Sequence, residues 1–211
     1  MMDLVKRVGL FGGCFDPIHR AHIALAKAAA TQFNLSTIRF VPTGFPAQKT
    51  PSASFTQRCT MVKIAINNSR DKRLVIDKGE TYDSARGPNY SFETIMRIQK
   101  ELPDSELFLI LGEDQFVNFR TWKNWKWILQ NTNLAVCARP HNGMDKPKIS
   151  STFLLNEFRE GFKEKIFIVN LKPDDSSSTM VRSYLKKNMG LGNMIDADVL
   201  EYIKRSKLYQ N

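Results

Sequence analysis

Cysteine and histidine are both scarce, with three of each in 211 residues. Cys14, Cys59 and Cys137 are odd in number and far apart, so they draw neither a disulfide framework nor a CxxC zinc pair. A reducing cytoplasm is the compartment that fits them. No stretch of about 18 apolar residues is present to span a bilayer. The start, MMDLVKRVGLFGG, carries too short an apolar run for a signal peptide. A G-x-G-x-x-G dinucleotide fingerprint is missing, which argues against a hydride-transferring enzyme; Walker A and HExxH motifs are missing too. There is no internal repeat and no low-complexity tract.

What is there is ordinary globular composition, 42% hydrophobic and 25% charged, so disorder is not expected. The length suits one domain, 1–211, with a C-terminal helical part over about 174–211. Thirty-one Lys and Arg against 21 Asp and Glu give a formal charge of +10, which favours polyanionic partners without choosing among them. Many of these cations, such as Lys163, Lys165, Lys186 and Lys187, are expected simply to be solvated.

Short apolar runs recur at Val8–Phe11, Thr37–Val41, Leu74–Asp77, Leu107–Leu111, Leu134–Cys137 and Ile166–Val169. They read as strands buried on both faces of a parallel sheet. Between them, apolar spacing of three or four predicts helices over Ala21–Phe33, Phe55–Asn67, Ser91–Glu101 and Trp122–Leu129. Strand and helix in alternation predict an α/β fold, a doubly wound Rossmann-like parallel sheet with helices on both faces. Its ligands are expected beyond the carboxyl ends of the strands, where the winding reverses. Arg139–Ser151, which includes His141, reads as a surface loop and Asp174–Ser178 as a polar turn into a helix. The tail Asp196–Tyr209 reads as a modest amphipathic helix packing back on the domain.

The first strand runs into Gly12, Gly13, Cys14, Phe15, Asp16, Pro17, Ile18, His19, Arg20, Ala21 and His22. Paired glycines after a strand let backbone amides approach a phosphate, and a helix start adds unpaired N–H groups and a positive dipole end. His19 and His22, three apart, share a helix face and can present donors to one phosphate chain. Taken alone, the pair is better explained by capping or packing.

The whole segment resembles the GGxFDPxHxGH signature of the nucleotidylyltransferases, whose HxGH motif is similar to the HIGH motif of class I aminoacyl-tRNA synthetases. Cys14 stands where that family has Ser or Thr, and Ala21 replaces the Gly. Over nearly the whole chain the likeness is to one branch, the bacterial nicotinate mononucleotide adenylyltransferases. Val41–Lys49 resembles the loop that places Thr43 and Lys49 on phosphates, with Gln48 in place of a His. Pro88–Thr94 resembles the PSYTxxTL segment, where a hydroxyl and backbone amides meet a pyridine carboxylate; Tyr90 and Ser91 correspond. Ser91 equally suits a helix N-cap. Gly112–Asp114 followed by Trp122 resembles GxD and its tryptophan, which implies that Asp114 meets ribose hydroxyls and Trp122 a pyridine ring. Trp125 and Trp127 are expected in the core and Glu113 at the surface.

Ser176–Arg182 resembles ISSTxIR, with Ser176 in the apolar first position, and implies phosphate contacts from Ser178, Thr179 and Arg182. Arg139 resembles the basic residue of a CRRP-like turn. Arg58 and Val199–Tyr209 also match family segments, with packing or surface placement sufficient to explain them.

The resemblance implies that AMP passes from ATP to nicotinate mononucleotide, giving nicotinate adenine dinucleotide (deamido-NAD) and pyrophosphate. The catalytic group would be His19, His22 and Arg182. Gly12, Gly13, Cys14, Phe15, Thr43, Lys49, Tyr90, Ser91, Gly112, Asp114, Trp122, Arg139, Ser178 and Thr179 would bind substrate. Mg2+ is expected with ATP as co-substrate, and no metal held by the protein itself. No membrane partner and no specific nucleic acid are expected; the oligomeric state stays open. Two rivals stand beside this reading: the same chemistry on nicotinamide mononucleotide or phosphopantetheine, and a nucleic-acid-binding module suggested by the charge. The second lacks an aromatic-interleaved basic stripe or a binding motif.

Overall fold

The computed structural model describes residues 5–47, 50–81, 85, 87–137, 162–171, 174 and 176–210, all but the side chain of Lys163. Six strands form one sheet: β1 (Lys6–Gly13), β2 (Thr37–Pro42), β3 (Leu74–Ile76), β4 (Ser105–Gly112), β5 (Asn133–Cys137) and β6 (Ile166–Ile168). Every pairing is parallel and the order is β3-β2-β1-β4-β5-β6, so the winding reverses between β1 and β4. This is the doubly wound arrangement expected from the run pattern.

Alternation along β4 shows how the sheet separates two apolar layers. Leu107, Leu109 and Leu111 point to one face with Val8, Leu10, Leu134 and Val136, while Phe108 and Ile110 point to the other. Each such side chain contributes about 1.5–3 kcal/mol relative to leaving it exposed. Helix α3 (Ser91–Glu101) seats Ile95 and Ile98 on the first face, beside α4 (Glu113–Val117) and α5 (Trp125–Asn131). The second face is covered by α1 (Arg20–Gln32) and α2 (Phe55–Ser69), with Ala26, Ala29, Ala30, Met61 and Val62 inside.

The C-terminal helices α6 (Ser178–Lys186) and α7 (Ala197–Arg205) join that second layer through Val181, Val199 and Ile203. Both start on side-chain caps: Ser177 accepts from the Met180 amide, and Asp196 from those of Asp198 and Val199. The packed-back tail helix is therefore present.

Three local expectations are corrected. The helix expected over Trp122–Leu129 begins at Trp125, because Trp122 is extended and Asn124 is left-handed (φ 57°); a 3-10 turn (Phe119–Thr121) and α4 precede it. Ser91 is the first residue inside α3 rather than its cap, the cap position being Tyr90, whose side chain does no capping. Glu113 is buried, not at the surface, since α4 turns back over the end of β4 and carries it inward.

Candidate active site

The β1–α1 loop sits where β1 and β4 part. Gly12 pairs with Val41 and Leu10 with Leu109, and the same register carried forward sets Gly13 level with Gly112. A side chain at Gly12 would meet nothing, so its face is open to the crevice, whereas Gly13 lies against the Phe15 ring. Phe15 itself has a left-handed backbone (φ 49°) and a buried ring packed on Phe11 and Phe40. Its side chain thus belongs to the core, and only its backbone is left to meet a ligand. Cys14 beside it is half-buried.

His19 is the N-cap position of α1 and is buried; His22 is half-buried one turn on. Their rings lie 3.7 Å apart between centroids, so the two do share one face. The His19 amide donates to Nδ1 of His22 at 3.2 Å. A neutral His22 ring therefore carries its proton on Nε2 and can donate from there. The helix start itself offers less than the sequence suggested: the Arg20 amide donates to Met194 O and the His22 amide to His19 O. An anion here is met by the loop and the imidazoles more than by first-turn amides.

Two buried polar residues hold the loop. Arg58, 1% exposed on the inner face of α2, donates from Nε to Ala53 O and from its two terminal nitrogens to Cys14 O and Thr43 O, both at 2.7 Å. Asp16 accepts from the amides of Ser52 (2.7 Å) and Ala53 (3.1 Å) and from the Tyr209 hydroxyl (2.6 Å). From α6, Ser178 donates to Pro17 O and Arg182 to Asp16 O at 2.6 Å, with a longer contact from Arg182 to the Thr179 hydroxyl. Arg182 is thereby brought to the histidine loop, as expected. The Ser178 hydroxyl is spent on protein backbone, and Thr179 is exposed beside it.

The other half of the crevice is looser. The Thr43 amide donates to Gly13 O, and its hydroxyl contacts Glu80. Gly44 lies so close to the 80–81 backbone that a Cβ would come within 2.5 Å of Glu80 O, which only glycine avoids. Phe45 and Asn89 hold each other: the Phe45 amide donates to the Asn89 side chain at 2.6 Å, and the Asn89 amide donates to Phe45 O. This sets Tyr90 and Ser91, both half-buried, next to the Thr43 loop.

Across from them, Gly112 ends β4, Asp114 is exposed, and Trp122 is half-buried with its ring 5.4 Å from Phe119. Trp125 and Trp127 are also half-buried, at the edge of the core rather than within it. Lys123 places its ammonium 4.5 Å from the Tyr90 ring, joining the 112–123 segment to the start of α3. Arg120 and Lys126 flank Trp125 similarly, so cations and aromatics do interleave here, which the sequence reading denied. Lys49 and Arg139, along with Gln48 and His141, lie outside the described residues.

The arrangement is an open, glycine-floored anion loop with two imidazoles and a guanidinium, facing an aromatic and polar wall across the winding reversal. A sequence model of the cytidylyltransferase-like family matches residues 10–184, which contain all of it. The chain belongs to this family. It is 35% identical to a protein of Chromobacterium violaceum named a probable nicotinate-nucleotide adenylyltransferase, over 97% of this chain and 99% of that one. A relative of the same name in Bordetella petrii is 32% identical over 98% of this chain and all of the other. In fold it is similar to the Plasmodium falciparum nicotinic acid mononucleotide adenylyltransferase complexed with NaAD, at a TM-score of 0.79 and 21% identity, covering 97% of each chain.

Within this family member, the residues that the sequence reading named without giving them a part in the site are Asp16, Arg58 and Tyr209. Arg58 had a legible signal: it falls on the same helical stripe as Met61, Val62, Ala65 and Ile66, all buried. An arginine on such a stripe must find several acceptors, as it does. Asp16 and Tyr209 meet across 193 residues of chain, a pairing that periodicity cannot reveal.

Proposed function

We infer that the chain is a nicotinate-nucleotide adenylyltransferase: the 5′-phosphate of nicotinate mononucleotide attacks the α-phosphorus of ATP in line, the bond to the β-phosphate oxygen breaks, and pyrophosphate leaves. The observation that carries this reading is the pairing of the His19 and His22 rings at the start of α1, on the loop that opens with the uncrowded Gly12, at the winding reversal. The attacking phosphate is already anionic, so no protein nucleophile is required. Catalysis is then positioning and charge stabilisation. In this reading His19 and His22 donate to the ATP phosphates, Arg182 supports the leaving pyrophosphate, and Lys49 and Arg139 add positive charge.

On the acceptor side Trp122 and Tyr90 flank the pyridine ring, Ser91 and the start of α3 face its carboxylate, and Asp114 accepts from a ribose hydroxyl. The names of the sequence relatives support this choice of acceptor, as do neighbours in fold complexed with NaAD and with APC. Among the described residues no group of three or more His, Cys, Asp or Glu is placed to hold a metal. Mg2+ is proposed as the companion of the ATP phosphates, where it offsets their charge. No helix among the described residues is long and apolar enough to cross a membrane, and the cytoplasm, where ATP is at hand, is the compartment the reading calls for.

The test is pyrophosphate release from Mg-ATP with nicotinate mononucleotide, nicotinamide mononucleotide or phosphopantetheine as acceptor, with His19→Ala as control. Turnover with the first, lost in the variant, is expected. Turnover only with another acceptor overturns the substrate, and turnover with none overturns the activity.

A further inference from the structure

After α7 the chain does not trail away. Lys207 and Tyr209 both take left-handed backbone angles (φ 52° and 61°), and the Leu208 amide donates to Ile203 O, which hooks the tail back under the sheet. The Tyr209 ring is buried in the same apolar layer as Val199 and Ile203. Packing alone would be served equally well by phenylalanine. The hydroxyl instead donates to Oδ1 of Asp16 at 2.6 Å, alongside the Ala53 amide, while Ser52 takes Oδ2.

We propose that Tyr209 is a positioning residue for the phosphate loop: by holding the Asp16 carboxylate it sets the places of His19 and His22. Asp16 is only three residues ahead of His19, and its backbone carbonyl is the one that Arg182 grips. One side chain thus ties the tail, the segment before α2 and the loop that carries the imidazoles. Burial and the neighbouring carboxylate hold the phenol well above its ordinary pKa, so it stays a donor throughout the working range.

Only the kinetic consequences rest on the adenylyl-transfer reading; the imidazole signals do not. Three histidines make the ring nitrogen NMR spectrum of the full chain simple to assign. Tyr209→Phe is expected to displace the His19 and His22 signals. It should lower kcat about tenfold with KM for both substrates within about twofold, the scale of one lost hydrogen bond to a charged group. In an Asp16→Asn background the same change should cost under about twofold, because the two act through one contact. Ile203→Val, which loosens the tail without touching the hydroxyl, should lower the melting temperature but leave kcat and the ring signals as they are.

Unmoved imidazole signals in Tyr209→Phe, or a wild-type kcat beside a lowered melting temperature, overturn the proposal. If that variant does not fold, Asp16→Asn must displace the same two signals, and its failure to do so overturns it too. A wild-type chain without turnover defeats the adenylyl-transfer reading, and the ring signals then decide the role of Tyr209 alone.

Discussion

The two walls of the crevice are built differently. On the β1–α1 side, Cys14, Asp16 and Pro17 are held by Arg58, Ser52, Ala53, Tyr209, Ser178 and Arg182 through hydrogen bonds that are buried or part-buried. On the α3 side, Asp114 is exposed, Trp122 is half-buried, and the Phe45–Asn89 pair and a lysine over a tyrosine ring are among the ties that reach the crevice. A reaction that needs in-line geometry at phosphorus is sensitive to small displacements of the first wall. In the proposed reaction the second wall selects the acceptor by surface contact.

The sharpest way to break the contrast is to remove a donor from the rigid wall. His22→Ala is expected to lower kcat by about 10²- to 10⁴-fold, the range of a group acting only on developing charge, with the KM for nicotinate mononucleotide little changed. Steady-state kinetics with both substrates check it. Parallel losses in kcat and in acceptor binding would mean that the two walls are not separable.

Arg58→Met probes the frame itself. It leaves three carbonyls without their donor inside the fold, so a loss of about 3–5 kcal/mol in unfolding free energy is expected, measured by urea titration. Retained stability would mean that water replaces the guanidinium and that the wall is less dry than its 1% exposure implies.

How much of each wall was legible follows from the same difference. The parallel sheet, helices α1 to α3 and the histidine pair came from local periodicity and a contiguous motif, since apolar runs and i, i+3 spacing are properties of neighbours in sequence. The buried position of Glu113, the late start of α5 at a left-handed Asn124 and the tail clamp on Asp16 depend on how segments fold against one another. Apolar patterning carries no sign of them. The histidine pair was thus easier to read than what keeps it in place.

On the softer wall the expected effects are smaller. Trp122→Ala should raise the KM for nicotinate mononucleotide about tenfold, the worth of one aromatic face, while kcat and the KM for ATP stay within about twofold. A fall in kcat as large as that of His22→Ala would erase the distinction between the walls.

The last difference is electrostatic. Beneath α3, Asp77 binds both Arg39 and Arg97, and Glu101 binds the same two arginines, which ties β2, the end of β3 and α3 into one ion-pair network. Burial works against the charge on Asp77, but the Gly79 amide, Arg97 and Arg39 outweigh it, so its pKa is lowered; Glu101 is lowered chiefly by Arg39. A carboxylate with a depressed folded pKa stabilises fully above its unfolded value, and that contribution is lost as pH falls through the folded one. Glu80, raised by burial, has the opposite sign: its charge costs stability at neutral pH, and acid relieves it. Within the arginine network itself both carboxylates are lowered, so acid weakens it. From about pH 5 to about pH 3, amides of α3 should therefore lose hydrogen-exchange protection before those of α1. Asp77→Asn should lower the thermal midpoint at pH 7 yet shrink the difference between pH 7 and pH 3. Equal protection losses in α1 and α3 would show that acid acts on the whole fold at once, and the softer wall would then owe nothing to its ion pairs.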